Sequence, residues 1–380
     1  MKILAIDDQQ LILLSVEKKL REIGYEVKTA DSGQKGIALY DDFAPDLVLV
    51  DINMPGMTGL EVVKHIRSNG NKQTPILVMS GNTNEDIIMD GFRMGIDDYM
   101  KKPISLDEMA ARIKRKIGAP ENVNPSVKEN TGARMLQKNC VGVVIPCYNE
   151  EDRLSGEDFK RFAHENLGYH LCFVNDGSTD KTLEVLEELR KGNPDNISVY
   201  DCEKNGGKAE AVRQGMLHLV KDEQLDYIGF LDADLSTDFR DFDDLVKTIE
   251  TSDFKIVSGS RIARMGANIT KESARRIISL TINKIIQTIL GMPFKDTQCG
   301  AKIMDREIAT LMFKDKFITK WLFDVEVFMR MRNHYGKEEA KRMICEQPLK
   351  RWIHADGSKL SMKDSVKIVG QLAQIAYSYK

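Results

Sequence analysis

Residues 225–237 read LDYIGFLDADLST. Tyr227-Ile228-Gly229-Phe230-Leu231 is a short apolar run that suits a strand buried in a parallel sheet. Asp232 and Asp234 follow at its C-terminal end, where open α/β sheets place their ligand crevices. Spaced by the small Ala233, the two carboxylates can meet one hard divalent cation, and such a cation holds a substrate's diphosphate. Taken alone the pair is equally a solvated acidic turn, so the surrounding motifs have to decide.

A chain of 380 residues suggests two or three domains of roughly 150 residues each. Its formal charge of -3 and the lack of a long basic tract argue against a nucleic-acid partner. Cys140, Cys147, Cys172, Cys202, Cys299 and Cys345 show no C-x-x-C pairing, so disulfides and structural zinc are not expected and a reducing cytosol fits. The opening MKILAIDDQQ meets acidic residues too early for a signal peptide, and no run approaches the roughly 20 apolar residues of a membrane span. A soluble cytoplasmic protein is expected, with peripheral contact at the inner face of the membrane left open.

Residues 1–118 alternate strand and helix patterns, as in a doubly wound parallel sheet. Strands are expected at Lys2–Ile6, Glu26–Thr29, Leu47–Val50, Ile76–Met79 and Asp98–Met100. Asp7 and Asp8 close the first, Asp51 the third and Ser80 the fourth, while Lys102 follows the fifth. Adjacent strands would bring three carboxylates to one cation, with a hydroxyl and an ammonium beside them. Such a constellation neutralises an incoming phosphoryl group while one carboxylate acts as nucleophile.

The ordered motifs IDD, VDINMPGMTGLEV, MSG and DDYMKKPIS resemble the receiver domain of bacterial response regulators, a flavodoxin-like fold with a five-stranded parallel sheet. The resemblance implies Asp51 as acceptor of a phosphoryl group from a histidine kinase. It implies Mg²⁺ held by Asp7, Asp8, Asp51 and Asn53, with Ser80, Tyr99 and Lys102 at the switch and phosphate-contacting positions. Receiver domains commonly dimerise, so a homodimer is compatible with this reading.

Residues 119–139, APENVNPSVKENTGARMLQKN, lose apolar periodicity and are expected to be a mobile linker. A second α/β unit opens at Val141-Gly142-Val143-Val144-Ile145 and runs into PCYNEE. Leu171-Cys172-Phe173-Val174 runs into NDGSTD, where Asp176 is either a turn residue beside Gly177 or an acceptor for a base such as uracil. In KNGGKAEA the glycine pair permits close backbone approach and Lys208 can counter phosphate charge. The spacing does not make a P-loop.

In order, PCYNEE, VNDGSTD, NGGKAEAV and LDADLSTD resemble inverting family 2 glycosyltransferases, which have a Rossmann-like, mixed-sheet GT-A fold. SGSR, DTQCG, WLFDVE, and Trp352 followed by GSKL narrow the resemblance to the dolichyl- or polyprenyl-phosphate glucosyltransferase branch. It implies a domain over residues 140–361 that binds a UDP-sugar, UDP-glucose above all, through Pro146, Tyr148, Asn149, Glu150, Asp176, Lys208 and Asp232. Mg²⁺ or Mn²⁺ would sit on Asp232 and Asp234. Gln298, Asp324 and Glu326 match family motif positions, the first two as catalytic candidates together with Asp232 and Asp234. Arg261, Arg275 and Arg276 could clamp the phosphate of a polyprenyl-type acceptor.

Ser236 stands where the mannosyl branch has glutamine, which favours glucosyl transfer, and QPLKRW has one residue too many for the Q-x-x-R-W of processive synthases. Ile277, Ile278, Ile282, Ile285, Ile286, Ile289 and Leu290 recur at helical spacing, either for core packing or for an interface with lipid. Residues 362–380 are expected to form a C-terminal amphipathic helix. The expected protein is a response regulator whose output is a sugar transfer. The alternatives are transfer to a soluble or protein acceptor, or a phosphorylation-switched module that binds a nucleotide sugar without turning it over.

Overall fold

The chain lays down strands and helices in nearly strict alternation through residue 118. They are β1 (Lys2–Ile6), α1 (Gln10–Glu22), β2 (Glu26–Ala30), α2 (Gly33–Phe43), β3 (Leu47–Asp51), α3 (Gly59–Ser68), β4 (Ile76–Ser80), α4 (Glu85–Met94), β5 (Asp98–Lys101), the short β6 (Ile104–Ser105) and α5 (Leu106–Ile117). The structure is a computed structural model that describes residues 1–68, 73–81, 85–120, 134–262, 268–269, 273–352 and 362–379, with the side chains of 268–281, 352 and 362–366 outside the description. The first five strands form one sheet of order β2-β1-β3-β4-β5, and every neighbouring pair in it is parallel. LVLVD and ILVMS are buried at every position, as expected for central strands covered by helices on both faces. Helix α5 starts at Ser105, whose hydroxyl accepts from Glu108 N at 3.0 Å, and it buries Leu106, Met109, Ala110 and Ile113 along one stripe.

Two compact units divide the chain, the first Met1–Cys140 with Arg161–Tyr169, the second Val141–Lys160 with His170–Lys380. Strand β7 (Met135–Cys147) begins in the first, where Leu136 pairs with Ile104 and Met135 with Ser105. Residues 135–139, expected as linker, are therefore extended. Leu136 is fully buried among Met100, Leu106 and Met109, while Gln137, Lys138 and Asn139 stay half-buried. Tertiary pairing supplies the order that their polar composition does not show.

The second unit continues with α6 (Gly156–Glu165), β8 (Asn166–Asn175), α7 (Thr182–Gly192), β9 (Ile197–Asp201), α8 (Lys208–Leu219), β10 (Tyr227–Leu231), α9 (Phe239–Glu250) and β11 (Ile256–Ser260). Then come β12 (Asn268–Ile269), α10 (Ser273–Leu290), β13 (Ala301–Asp305), α11 (Arg306–Phe313), α12 (Phe323–Tyr335), α13 (Lys337–Met343), β14 (Ile344–Pro348), β15 (Arg351–Trp352) and α14 (Met362–Ser378). Its sheet runs β14-β11-β13-β10-β7-β8-β9. The sheet is mixed because β13 lies antiparallel between β10 and β11. Gly229 makes that insertion possible, since a Cβ there would lie 2.2 Å from the Lys302 carbonyl oxygen. Helix α10 turns Ile286 and Leu290 into the core, and α14 does the same with Leu372 and Ile375, so these parts of both helices pack on their own unit. Among the described residues no helix is long and apolar enough to cross a membrane.

Candidate phosphoacceptor and transferase sites

In the first unit the strand order sets Asp7, Asp51, Ser80 and Lys102 side by side at the C-terminal edge of the sheet. Lys102, with a side chain only 2 % exposed, donates to Asp7 Oδ2 at 2.8 Å and pairs with Asp51 Oδ1 at 2.9 Å. The outer oxygens of both carboxylates take backbone N–H groups, Asp7 Oδ1 from Gln9 at 2.9 Å and Asp51 Oδ2 from Asn53 at 2.6 Å. Burial, opposed by Lys102 and reinforced by Asp51, pushes the Asp7 carboxyl up from 3.8 to about 6. Burial alone would lower Lys102, but Asp7 and Asp51 outweigh it and hold the ammonium well above its usual range. Asp8 is half-buried beside them. Burial raises the half-buried Tyr99 phenol against a contact with the Ser80 hydroxyl, so the two expected switch residues touch.

Among the described residues no three His, Cys, Asp or Glu side chains already converge as a cation cage. The donor chemistry nevertheless fits Mg²⁺: Asp7, Asp8 and Asp51 are hard oxygen ligands, and Asp7 and Asp51 already share one positive charge, that of Lys102.

In the second unit PCYNEE, NDGSTD and DAD lie at the C-terminal ends of the neighbouring strands β7, β8 and β10. Asn149, in the left-handed region at φ 52°, donates its N–H to Ser178 Oγ and accepts from Thr179 N at 2.9 Å, locking the first two loops together. Glu150 N donates to Thr182 Oγ1 at 2.7 Å, while Tyr148 is exposed. Pro146 is half-buried at the end of its strand.

Asp176 takes Gly206 N at 2.8 Å and Gly207 N at 2.9 Å on its two oxygens. The carboxylate expected as an acceptor for a base thus shapes the glycine loop in this structure. Gly177, at φ 61°, allows that loop to close in, because a Cβ there would lie 2.5 Å from Asn205 N.

The glycine loop delivers Lys208 to Asp232, with Nζ 2.6 Å from Oδ1. Burial lowers the Lys208 ammonium's affinity for its proton, yet Asp232, Asp324 and Asp234 together raise it. Asp232 leans against Gly300, where a Cβ would fall 2.0 Å from Oδ2. Asp234 Oδ1 accepts from Ser236 N at 2.9 Å. Asp324, in the first turn of α12, meets Lys302 Nζ at 2.7 Å. That ammonium also donates to Cys299 O at 2.7 Å, and Lys302 is wholly buried. Burial raises the Asp324 carboxyl, opposed by Lys302 and Lys208. Asp232, Lys208, Asp324 and Lys302 thus form one group of alternating charge under the strand ends, with half-buried Gln298 on the Cys299 loop. The oxygen donors of Asp232 and Asp234 fit a hard divalent cation.

Glu326 and Arg261 have structural partners. Glu326, fully buried, accepts from Ile318 N at 2.9 Å and Thr319 N at 2.8 Å. The fork of Arg261 closes on Asp296 at 2.7 and 2.8 Å, so the guanidinium expected to take an acceptor phosphate is already filled by a carboxylate. Arg275 and Arg276 lie on α10 with side chains outside the described residues. Lys302 was not among the residues expected from the sequence. Its signal was a lysine inside the apolar strand AKIMD, since a lysine is almost never fully buried unless paired.

Residues 3–114 match the response regulator receiver domain family and residues 142–312 match glycosyl transferase family 2. A dolichyl-phosphate beta-glucosyltransferase of Dictyostelium discoideum is 30% identical over 270 residues, which cover 67% of this chain and 79% of that protein. This chain belongs to glycosyl transferase family 2. A second dolichyl-phosphate beta-glucosyltransferase, from Saccharomyces cerevisiae, is 30% identical over 299 residues, covering 73% of this chain and 83% of that protein. The first unit carries the receiver domain; there the cell cycle transcriptional regulator CtrA of Caulobacter vibrioides is 38% identical over 113 residues, covering 30% of this chain and 48% of that protein. The chain is a glycosyltransferase joined to a receiver domain.

Removing one partner of a buried ion pair strands the other. Lys302→Met is expected to cost about 3–5 kcal/mol, seen as a lower urea midpoint. Adding Asp324→Asn to it should recover about half of that loss, because the uncompensated charge is gone. In the receiver, a proton on Asp7 competes with any cation. Mg²⁺ affinity measured by calorimetry is therefore expected to be flat above pH 7 and to fall about tenfold per unit below the Asp7 value of about 6. Affinity unchanged between pH 5 and pH 7 would remove Asp7 from the ligand set.

Proposed function

We propose that this glycosyltransferase moves glucose from UDP-glucose, with inversion, to the phosphate of a polyprenyl- or dolichyl-type lipid, under control of phosphorylation at Asp51. The observation that carries the reading is the charge group Asp232–Lys208–Asp324–Lys302 at the strand ends, in a chain 30% identical to dolichyl-phosphate beta-glucosyltransferases.

The chemistry suits such a site. An oxygen of the acceptor phosphate, already anionic near pH 7, attacks the anomeric carbon. A carbon–oxygen bond forms there while the bond from that carbon to the diphosphate oxygen breaks, and UDP leaves with the electron pair. The nucleophile needs little help from a base, so the protein's work is positioning and stabilising the leaving group. Asp232 and Asp234 would hold Mg²⁺ or Mn²⁺, which when bound supplies positive charge at the diphosphate. Lys208 adds an ammonium to the same place from the first turn of α8. Asp324 and Lys302 brace the Cys299 loop and Gln298 beside it. Arg275 and Arg276 are the proposed clamp for the acceptor phosphate, since the Arg261 fork is engaged by Asp296.

In the receiver, an Asp51 oxygen attacks the phosphorus of a phosphohistidine on a kinase, forming an acyl phosphate as the phosphorus–nitrogen bond breaks. Asp7, Asp8, Asp51 and Asn53 would hold Mg²⁺, and Lys102 would stay with the phosphoryl oxygens. The proposed setting is the cytoplasm, with peripheral contact at the inner face of the membrane.

The test is transfer of label from a panel of nucleotide sugars to polyprenyl phosphate in detergent with Mg²⁺ or Mn²⁺. Organic-extractable label is expected from UDP-glucose, and Asp234→Ala should reduce it at least about a hundredfold, as expected when charge stabilisation of a leaving group is lost. Donor hydrolysis without lipid product would move the acceptor to a soluble molecule. Tight donor binding without turnover would make the site a sensor.

A further inference from the structure

The segment between α11 and α12, Lys314-Asp315-Lys316-Phe317-Ile318-Thr319-Lys320-Trp321, combines a fixed backbone with an exposed and unusual set of side chains. Its backbone is held from beneath by two residues of α12. Glu326 accepts from the N–H groups of Ile318 and Thr319 and from the Thr319 hydroxyl at 2.7 Å. Arg330 donates to the carbonyls of Met312, Asp315 and Lys316 and stacks on Phe317, 4.3 Å from its ring centroid. Tyr379 ties the chain's last described residue to the same pair, accepting from Arg330 Nε at 2.9 Å and donating to Glu326 Oε2 at 3.0 Å.

Outward, the segment leaves Trp321 66% exposed and Ile318 37% exposed, with Lys314, Lys316 and Lys320 exposed around them and Asp315 as the only acid of the segment. A solvent-facing loop ordinarily gives up such apolar area or is free to fold it away. Here a buried carboxylate and a guanidinium prevent that. The segment also adjoins the donor site, since Lys320 O accepts from Ala209 N in the first turn of α8 at 3.1 Å.

We propose that residues 314–321 are a docking surface for an anionic lipid leaflet, with Trp321 and Ile318 entering the headgroup region and the lysines resting on its negative charge. Tryptophan beside lysine is the composition that settles at a membrane–water interface, and the excess of lysine over acid matches an anionic surface. The inference rests on the lipid-phosphate reading above. It gives that reading a route by which a strongly apolar acceptor is met at the bilayer, one loop away from Lys208.

The test uses the full chain and vesicles without polyprenyl phosphate, so that docking is read apart from catalysis. Sedimentation with vesicles of equimolar phosphatidylglycerol and phosphatidylcholine at low salt is expected to pull the protein down, and phosphatidylcholine alone far less. Added salt should release it. Each lysine at an anionic surface contributes about fivefold to partitioning, so Lys314→Gln with Lys316→Gln should weaken binding about 25-fold. That double variant should still transfer sugar to detergent-dispersed polyprenyl phosphate at the parent rate. Lys320 is left in place because its ammonium also faces Asp176. Trp321→Ser should weaken binding as well, and in a Trp352→Phe background the Trp321 emission should shift to the blue on anionic vesicles. No binding to anionic vesicles, or binding that ignores both variants, overturns the proposal while leaving the detergent assay to judge the transferase reading. A blue shift that instead follows protein concentration, with a doubled mass in light scattering, would assign the surface to a second copy of the chain and also overturn it.

Discussion

Carboxylates crowded at the end of a parallel sheet repel one another and lose solvation, and each unit of this chain meets that constraint with lysine set between them. In the receiver, Lys102 lies between Asp7 and Asp51. In the transferase, Lys208 and Lys302 alternate with Asp232 and Asp324. The balance is not complete. Burial raises the Asp7 carboxyl to about 6 despite its lysine, so desolvation wins there over attraction. Such a site is poised to gain from further positive charge or from a change of partner at the ammonium. Binding a cation and accepting a phosphoryl group are both changes of that kind.

The folds follow from the same arrangement. Runs such as LVLVD are buried at every position, so the sheet must be covered on both faces, and the chain is free to present polar groups only where strands end. That places Asp51, Ser80 and Lys102 in a row, and PCYNEE, NDGSTD and DAD in another. In the transferase the glycine loop converts this row into a site, because Asp176 draws Gly206 and Gly207 inward and thereby sets Lys208 against Asp232.

What is legible in the sequence is whatever is local in the chain. The receiver strands end where their apolar runs end, and the acids stand next to them, so the order of residues along the chain is enough to group Asp7, Asp51 and Lys102. The pair Asp232 and Asp234 is legible for the same reason. What is not legible depends on long-range pairing. Lys302 becomes central only because β13 enters antiparallel between β10 and β11. Asp296 takes the Arg261 fork, and Glu346 accepts from the Ser260 hydroxyl and the Lys295 N–H, in each case a partner far along the chain. Residues 135–139 read as linker because their polarity is visible in the sequence and their pairing with Ile104 and Ser105 is not.

The two domains are proposed to be coupled, so that a phosphoryl group on Asp51 changes sugar transfer. Initial rates of the full chain, measured with and without acetyl phosphate and Mg²⁺, test it most directly, with Asp51 phosphorylation followed in the same samples and Asp51→Asn as the control. A change of about fivefold or more, in the range usual for coupled sites, is predicted for the parent chain and none for Asp51→Asn. Equal rates from fully phosphorylated parent, unphosphorylated parent and Asp51→Asn would rule that coupling out.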